Sequence, residues 1–284
     1  MRLLAQAIVN GLLIGGVYAL MSLGLSLIFG VMNIANAAQA AFAILAAYIT
    51  YWLFTLYNIN PFIGMVISSV LLFLIGTVLY KYVVRRVSEL MAFTLLYLMA
   101  MFLESVMVFV WTNLYRGIRL PYLSTSISVG GVFIFLDRLV GFTIAITITA
   151  IVAFMLKYTY FGKAIRASIQ NPIGATLMGV NVEKIRMISF GLGLAISGFA
   201  GSVLGIIYPF YPTLAELWIG LMFAIVVFGG IGSLTGTLIA AIVLGIANSL
   251  VGTYVSSVWA PLVAFVVLIL TLWLRPTGIM GRKV

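Results

Sequence analysis

The stretch YTYFGKAIRASIQNPIGATLMGVNVEKIR, residues 158–186, decides the fold, because it is a long polar interval between two apolar runs. Lys163, Arg166, Lys184 and Arg186 give this interval a basic character that the flanking runs lack. Most connections between helices need only a few residues, so an interval of this length predicts a surface structure of its own. We interpret it as a cytoplasmic surface segment between two membrane spans.

The composition predicts a membrane protein. Apolar residues make up 64% of the 284 residues and charged residues 7%, with a mean hydropathy of +1.28. Soluble domains carry about 25% charged residues. The apolar runs are continuous and about as long as a bilayer-spanning helix, which favours helices over the alternating strands of a barrel. We therefore predict an all-α polytopic integral membrane protein, with residues 1–284 forming a single transmembrane domain.

The runs predict eight to nine transmembrane or broken helices. The number depends on 217–252, where two short runs flank the glycine-rich GGIGSLTG at 229–236. Each run is short for a full span, so this interval is either two tightly turned spans or one broken element. The runs lie at about 7–30, 38–57, 61–80, 91–113, 138–157, 186–208, 217–230, 236–252 and 258–274.

Basic residues give the orientation, because Lys and Arg are enriched in cytoplasmic loops. Three passes before the first basic loop place the N-terminus outside, although Arg2 argues against this and leaves the side of the N-terminus open. The intervals 114–137 and 208–216 then face outward, and the apolar part at 128–135 is too short to span. The cytoplasmic markers are Lys81, Arg85, Arg86, the residues of 157–186, Arg275, Arg282 and Lys283.

The residues that are missing exclude several classes of function. The sequence contains no Cys and no His, which rules out disulfides, thiolate metal sites and imidazole acid–base chemistry. It has no GxxxxGK[ST] phosphate loop and no HExxH, and the TVGYG pattern of potassium channels is also absent. The net charge of +10 reflects the cytoplasmic bias rather than nucleic-acid binding. We therefore predict no catalysis and no cofactor bound by this chain.

Capping signals divide the basic interval into helices. Residues 162–170 form a short helix with Lys163 and Arg166 on its polar face. Asn171 caps a second helix that starts at Pro172. That helix ends at Gly179 in a left-handed conformation, and Asn181 caps the next span.

Leu177 and Met178 lie near the end of the second short helix, where they would be presented outward. Helix-in-groove docking uses apolar anchors of this kind. The alternative is an interfacial helix that lies on lipid headgroups. Both interpretations stay open on composition alone.

Small residues recur at a spacing of four, at Gly11 and Gly15 and again at Ser197, Gly201 and Gly205. This spacing lets membrane helices approach closely. We expect ordinary packing at these faces, and the alternative, a narrow pore lined by them, is compatible with that packing.

Two polar features fall at predicted membrane depth. Asn33, Asn36 and Gln39 interrupt the apolar pattern between the first two runs, where they either line a pathway or form a loop. Glu104 lies near the middle of the run 91–113. A carboxylate inside a membrane is costly and becomes a candidate functional group by default, although a structural hydrogen bond is the alternative role.

Four stretches resemble one family. They are GLLIGGVYALMSLGLSLIFGVMNIA at 11–35, FGKAIRASIQNPIGATLMGVNVEKIR at 161–186, FAIVVFGGIGSLTGTLIAAIVLGIANSL at 223–250 and LRPTGIMG at 274–281. In this order they resemble the permease subunits of branched-chain amino-acid ABC transporters of the LivH type. The resemblance implies a prokaryotic cytoplasmic (inner) membrane protein that imports branched-chain amino acids or related small solutes.

The resemblance also implies partners. A second permease subunit, either a related chain or a second copy, would complete the pathway, and an extracytoplasmic protein would deliver the solute. Two cytoplasmic ATPase subunits would use ATP and bind the coupling loop at about 158–185. The residues of this loop that we assign to coupling are Lys163, Arg166, Asn171, Pro172, Leu177, Met178 and Gly179.

One departure from the family concerns the stretch after the first span. Many members have an N-F-A-H-G-E-like motif there, whereas this chain reads NIANAAQ at 33–39. The roles of that His and Glu therefore cannot be transferred, and the family's use of other small amides and urea keeps the solute open. A proton-coupled secondary transporter using Glu104 and a passive channel are the alternatives to an ABC permease.

Overall fold

The structure is a computed structural model that describes residues 2–275 and 277–281. Within these ranges, eight helices are long and apolar enough to cross a membrane, and one further apolar helix has 16 residues. The prediction of a polytopic helical membrane protein is confirmed. Arg282 and Lys283, which the sequence analysis assigned to the cytoplasmic side, lie outside the described residues.

The element order begins with four membrane helices, continues through a β-hairpin, a fifth membrane helix and two short surface helices, and ends with further apolar helices. Short 3₁₀ turns lie at Val84–Arg86, Pro121–Leu123 and Ser257–Trp259. The helices and strands are α1 (Arg2–Met32), α2 (Gln39–Tyr57), α3 (Pro61–Tyr82), α4 (Glu89–Trp111), β1 (Ser126–Val129), β2 (Val132–Phe135), α5 (Leu136–Tyr158), α6 (Tyr160–Gln170), α7 (Pro172–Leu177), α8 (Val182–Ile207), α9 (Leu214–Gly229), α10 (Leu234–Tyr254) and α11 (Ala260–Leu274).

The connections between the membrane helices fall at two ends. At the first, Arg85 after α3 pairs with Glu183 at the start of α8, and Gly30 of α1 contacts Gly232 between α9 and α10. At the other, Gln6 of α1 bonds to strand β2. We call these the basic end and the opposite end. The basic end holds 33–38, 83–88, 159–181, 230–233, 275 and 277–281, and the opposite end holds 58–60, 112–135, 208–213 and 255–259.

The charges differ between the two ends. The positive-inside rule assigns the end with more Lys and Arg to the cytoplasm. Helix α1 begins with Arg2 at the opposite end, so Arg2 is an exception to the bias. The basic end carries Lys81, Arg85, Arg86, Lys157, Lys163, Arg166, Lys184, Arg186 and Arg275, and the opposite end carries Arg2, Arg116, Arg119 and Arg138.

Helix α8 packs against α2 and α3 through small residues. A side chain at Gly201 would collide with the backbone of Ala43 in α2, and one at Gly198 would meet Ser69 in α3. Gly205 lies against Ala47 and Phe210. The predicted close packing of this face is confirmed, because α2 lies directly against Gly201 and Gly205.

The interval 217–252 forms two helices, α9 and α10, which pack against each other. The turn between them places Gly230 at φ +99° and Gly232 at φ +74°, values that favour glycine. Gly229 and Gly236 meet backbone to backbone beside this turn. Two tightly turned helices are therefore correct, and one broken element is not.

A β-hairpin occupies part of 114–137, where the all-α prediction included no strands and the apolar part at 128–135 was expected only to be too short to span. Strands β1 and β2 pair antiparallel through a two-residue turn at Gly130 and Gly131. Both glycines have positive φ, of +60° and +82°, as a type I′ hairpin turn requires. The Gly-Gly pair thus explains the difference from the expectation.

We expect Gly201→Ala to destabilise the protein by about 1–3 kcal/mol, because the added methyl group must displace the α2 backbone. Gly252→Ala is the matched control, since a Cβ added there meets none of the described residues within 4 Å. The control should be neutral or stabilising by up to about 1 kcal/mol. The measurement is the Tm of both variants in the same detergent, and equal losses of Tm would contradict the packing argument.

Candidate functional site

The basic end carries a surface built from α6 and α7. Thr159 caps α6, because its Oγ1 accepts a hydrogen bond from the Gly162 amide at 3.3 Å. Gly162 lies directly against the backbone of Leu156 at the end of α5, where any side chain would collide. The close approach folds α6 back against α5, so the surface is held to the membrane helices.

The predicted caps between α6 and α8 are confirmed. Asn171 Oδ1 accepts from the Gly174 amide at 2.8 Å, with Pro172 at the first position of α7. Gly179 has φ +85°. The Val180 amide then bonds to the Ala175 carbonyl at 3.0 Å, which completes a Schellman-type end. Asn181 Oδ1 accepts from the Lys184 amide at 2.9 Å and starts α8.

Helix α7 presents apolar side chains to the exterior of the chain. Leu177 is 83% exposed and Met178 86% exposed, as the sequence predicted. Ile173 is 76% exposed and lies one turn before Leu177, so it belongs to the same face. We call Ile173, Leu177 and Met178 the apolar patch. The sequence analysis missed Ile173, which its spacing of four from Leu177 could have found.

The two basic residues of α6 have different environments. Lys163 is exposed. Arg166 donates to the carbonyls of Leu156 and Lys157 at the end of α5. A cation satisfies the free carbonyls of a helix C-terminus and complements its dipole. Arg166 is also exposed, but its hydrogen bonds fix the position of α6 against the end of α5.

The surface is connected to the membrane helices beside it. Helix α6 contacts α1, α5 and α8, and α7 contacts α8. Near the start of α8, Glu183 pairs with Arg85 Nε at 3.0 Å and accepts from Tyr80 Oη at 3.5 Å. A displacement of α6 or α7 would therefore reach α8 and α3.

A second polar group of residues lies inside the protein, where the chain between α1 and α2 turns back into the core. Asn36 and Gln39 are fully buried. Asn36 Nδ2 donates to Gln39 Oε1 at 2.7 Å. Gln39 Nε2 donates to the Gly193 carbonyl at 2.9 Å and to Ser197 Oγ at 2.6 Å on α8. We call these four residues the buried amide cluster.

Asn33 does not belong to this cluster. It is exposed and has φ +59°, and its amide bonds to the Phe29 carbonyl at 2.8 Å. This is the left-handed position that ends a helix, which Asn tolerates better than most residues. Asn33 therefore ends α1.

A hydroxyl cluster lies further along α8 and was not singled out from the sequence. Ser202 Oγ lies 2.7 Å from Thr50 Oγ1 and 3.0 Å from Ser68 Oγ, and all three residues are fully buried. Single Ser and Thr residues in apolar runs are common in helix contacts. Their convergence from three helices has no local signal in the sequence.

Glu104 is separate from both clusters. It lies on α4, a helix whose buried residues are Ala92, Leu96 and Met107. It lines an open cleft of about 400 Å³ together with Glu216 of α9. Within the described residues, no Lys or Arg nitrogen lies within 4 Å of either carboxylate. A face of α4 that holds a carboxylate is poorly suited to lipid.

The family described as "Branched-chain amino acid transport system / permease component" matches residues 7–272. The chain belongs to this family. It is a transport permease component and a multi-pass membrane protein, as the four quoted stretches had indicated.

Permease relatives match over nearly their whole length. The "High-affinity branched-chain amino acid transport system permease protein LivH" of Salmonella typhimurium is 27% identical, over 98% of this chain and 95% of its own. LivH of Escherichia coli (strain K12) is 29% identical over the same shares. The "Probable branched-chain amino acid transport permease protein LivH" of Methanocaldococcus jannaschii is 30% identical over 92% of this chain and 88% of its own.

We expect Gln39→Leu to destabilise the permease by about 1–3 kcal/mol, because it leaves the Asn36 amide without its acceptor inside the core. Ser22→Ala is the control, since Ser22 is equally buried and its Oγ has no hydrogen-bond partner among the residues that the structure describes. Ser22→Ala should change stability little. Thermal unfolding in detergent measures both, and a Gln39→Leu variant as stable as Ser22→Ala would refute the role of the cluster.

Proposed function

We propose that this chain is a permease subunit of an ABC importer for branched-chain amino acids in the cytoplasmic membrane of a prokaryote. The observation that carries the proposal is the capped α6–α7 surface at the basic end, found in a member of the permease family. Relatives of this chain are named for branched-chain amino acid transport, which supports this class of solute. Residues 1–284 act as one transmembrane unit.

The energy comes from outside the chain. No phosphate-loop motif is present in the sequence, so two partner ATPase subunits bind and hydrolyse ATP. One ATPase subunit binds the apolar patch of this chain in a groove, in the way that amphipathic helices dock into apolar grooves. The other ATPase subunit binds the second permease subunit. Lys163 adds an exposed charge on the neighbouring helix α6, while Arg166, Asn171, Pro172 and Gly179 fix the geometry of the α6–α7 surface.

Coupling requires the ATPase to contact two conformations of the permease differently. The α6–α7 surface is the place where that difference is applied, because it contacts α1, α5 and α8 at once. A second permease subunit, related or identical, completes the pathway. A solute-binding protein delivers the amino acid at the opposite end.

The candidate pathway residues are assigned roles by whether their side chains are exposed in a cleft or buried in the core. Glu104 lines an open cleft on α4, so we assign it to the surface along which the solute passes. Asn36 and Gln39 use their amides in internal hydrogen bonds, and we assign them to the wall that supports this pathway. Asn33, at the basic end of α1, is assigned to the place where this wall reaches the cytoplasmic side.

We expect Leu177→Asp with Met178→Asp to abolish copurification of the ATPase subunits, because charges cannot enter an apolar groove without a partner. The membrane helices should still insert, since both side chains are exposed. The controls are Leu177→Met and Met178→Leu, which keep the patch apolar. Affinity purification of the tagged permease gives the measurement, and undiminished ATPase in the Asp variant would disprove docking at α7.

We expect Glu104→Gln to lower the rate of leucine uptake by about tenfold or more, because the pathway loses a charge while keeping its volume. Ser105→Ala, in the same cleft, is the control and should transport normally. Uptake is measured in proteoliposomes that hold the complete transporter, with and without ATP. Normal uptake by a folded Glu104→Gln variant removes Glu104 from the pathway.

The same assay tests the class of transporter. Uptake that needs ATP and all partner subunits supports the ABC permease. Uptake by the purified chain under a proton gradient indicates a secondary transporter, and passive flux indicates a channel. Competition by other amino acids, small amides and urea then measures the range of solutes.

A further inference from the structure

The β-hairpin at the opposite end is held in place by specific hydrogen bonds, and the transport path described above gives it no role. Gln6 of α1 fixes it, donating from Nε2 to the Phe133 carbonyl at 2.6 Å and accepting the Phe133 amide at 2.7 Å. The Gln6 amide thereby satisfies both backbone groups of an edge residue. A two-stranded hairpin is only marginally stable by itself, so this clamp holds it in place.

One face of the hairpin is aromatic and exposed. Cross-strand pairing sets Ser126 opposite Phe135 and Ser128 opposite Phe133, so these four side chains share a face. Phe133 is 55% exposed and Phe135 is 43% exposed. The unpaired edge of β1 needs water or another polar partner, which keeps the hairpin out of the hydrocarbon. The aromatic face therefore lies in the aqueous or interfacial layer.

Arginines bracket this face. The Arg2 side chain lies beside Gly131 at the turn. The Arg138 guanidinium lies 5.2 Å from the centre of the Phe135 ring at the base. Arg119, in the same connection, is exposed. In the part of the chain that the structure describes, no carboxylate lies within 4 Å of these three guanidinium groups.

These charges run against the positive-inside bias, which favours basic residues on the cytoplasmic side. Arg and aromatic residues together are the composition of interface anchors between proteins. Unpaired arginines around exposed aromatic rings are complementary to an acidic surface. Because the hairpin lies at the opposite end, the partner with this acidic surface would be a soluble protein outside the cytoplasm.

We propose that the face formed by Phe133 and Phe135, with Arg2 and Arg138 at its two ends, docks an acidic surface of the solute-binding protein. The proposal rests on the proposed function, which requires such a protein to deliver the amino acid. Electrostatic steering toward this face would speed encounter and make docking sensitive to salt.

The test uses the complete transporter in nanodiscs and the binding protein that supports uptake by the wild type. We expect Arg2→Glu with Arg138→Glu to weaken docking by about tenfold or more at low salt and to flatten its salt dependence. The controls Arg2→Lys with Arg138→Lys should dock within about twofold of wild type, because the charge is kept. Phe133→Ser should weaken docking at all salt concentrations.

If the Glu variant does not fold, Arg2→Gln with Arg138→Gln takes its place. This variant should weaken docking by about threefold or more, which is half of the expected effect of the Glu variant on a logarithmic scale. Exchange of the facing acidic residues of the binding protein for Lys should restore docking to the Glu or Gln variant. Wild-type affinity in every Arg and Phe variant would overturn the proposal. In another outcome, the variants dock normally and lose stability only in nanodiscs that contain phosphatidylglycerol. That result would show that the arginines bind lipid headgroups, and it would also overturn the proposal.

The outcomes separate this proposal from the proposed function. Amino-acid uptake by the wild type together with unaffected docking in the variants rejects the hairpin surface alone. Uptake of a different solute by the wild type rejects the proposed solute. In that case the docking of wild type and variants is compared with the binding protein for that solute. The comparison then shows whether the hairpin face is the docking surface.

Discussion

Lipid offers no hydrogen-bond partner, so every interruption of a membrane helix must be satisfied by the protein itself. This constraint explains the region between α1 and α2. The chain leaves helical geometry at Asn33, turns back into the core and resumes a helix at Gln39. The side chain of Gln39 uses its acceptor on Asn36 and its two donors on Gly193 and Ser197. The break is therefore compatible with a buried location, and α2 begins against the middle of α8.

Helix α8 is the element on which the other helices converge. Its glycines allow the backbones of α2 and α3 to approach closely, and its carbonyl and hydroxyl groups receive polar side chains from both. Its first turn belongs to the α6–α7 surface through the Asn181 cap and the Glu183–Arg85 pair. One helix thus connects the α6–α7 surface with the buried amide cluster. The proposed coupling depends on this continuity.

Local chemistry made part of the structure predictable. Asn171-Pro172, Gly179 and Asn181 set helix boundaries within a few residues, because caps act over a single turn. The Gly-Gly pair at 130–131 carried an equally local signal for a hairpin, which the helical interpretation of the chain passed over. Long-range pairings could not be predicted: Gln39 meets Gly193 and Ser197 more than 150 positions away. Arg166 appeared to be a free surface charge in the sequence and proved to bind the end of α5, because the fold-back at Gly162 brings those carbonyls within reach.

The length of α8 has a mechanical consequence. At a rise of about 1.5 Å per residue, its 26 residues form a rod about 39 Å long. A tilt of about 5° at the cytoplasmic tip would sweep the far tip by about 3 Å, which is comparable to the width of a water molecule. At that far tip the Gly205 carbonyl accepts the Ile118 amide at 2.9 Å. The loop at 112–135 is thus hydrogen-bonded to the far end of α8, so a tilt of α8 at the basic end would also move this loop on the other side of the membrane.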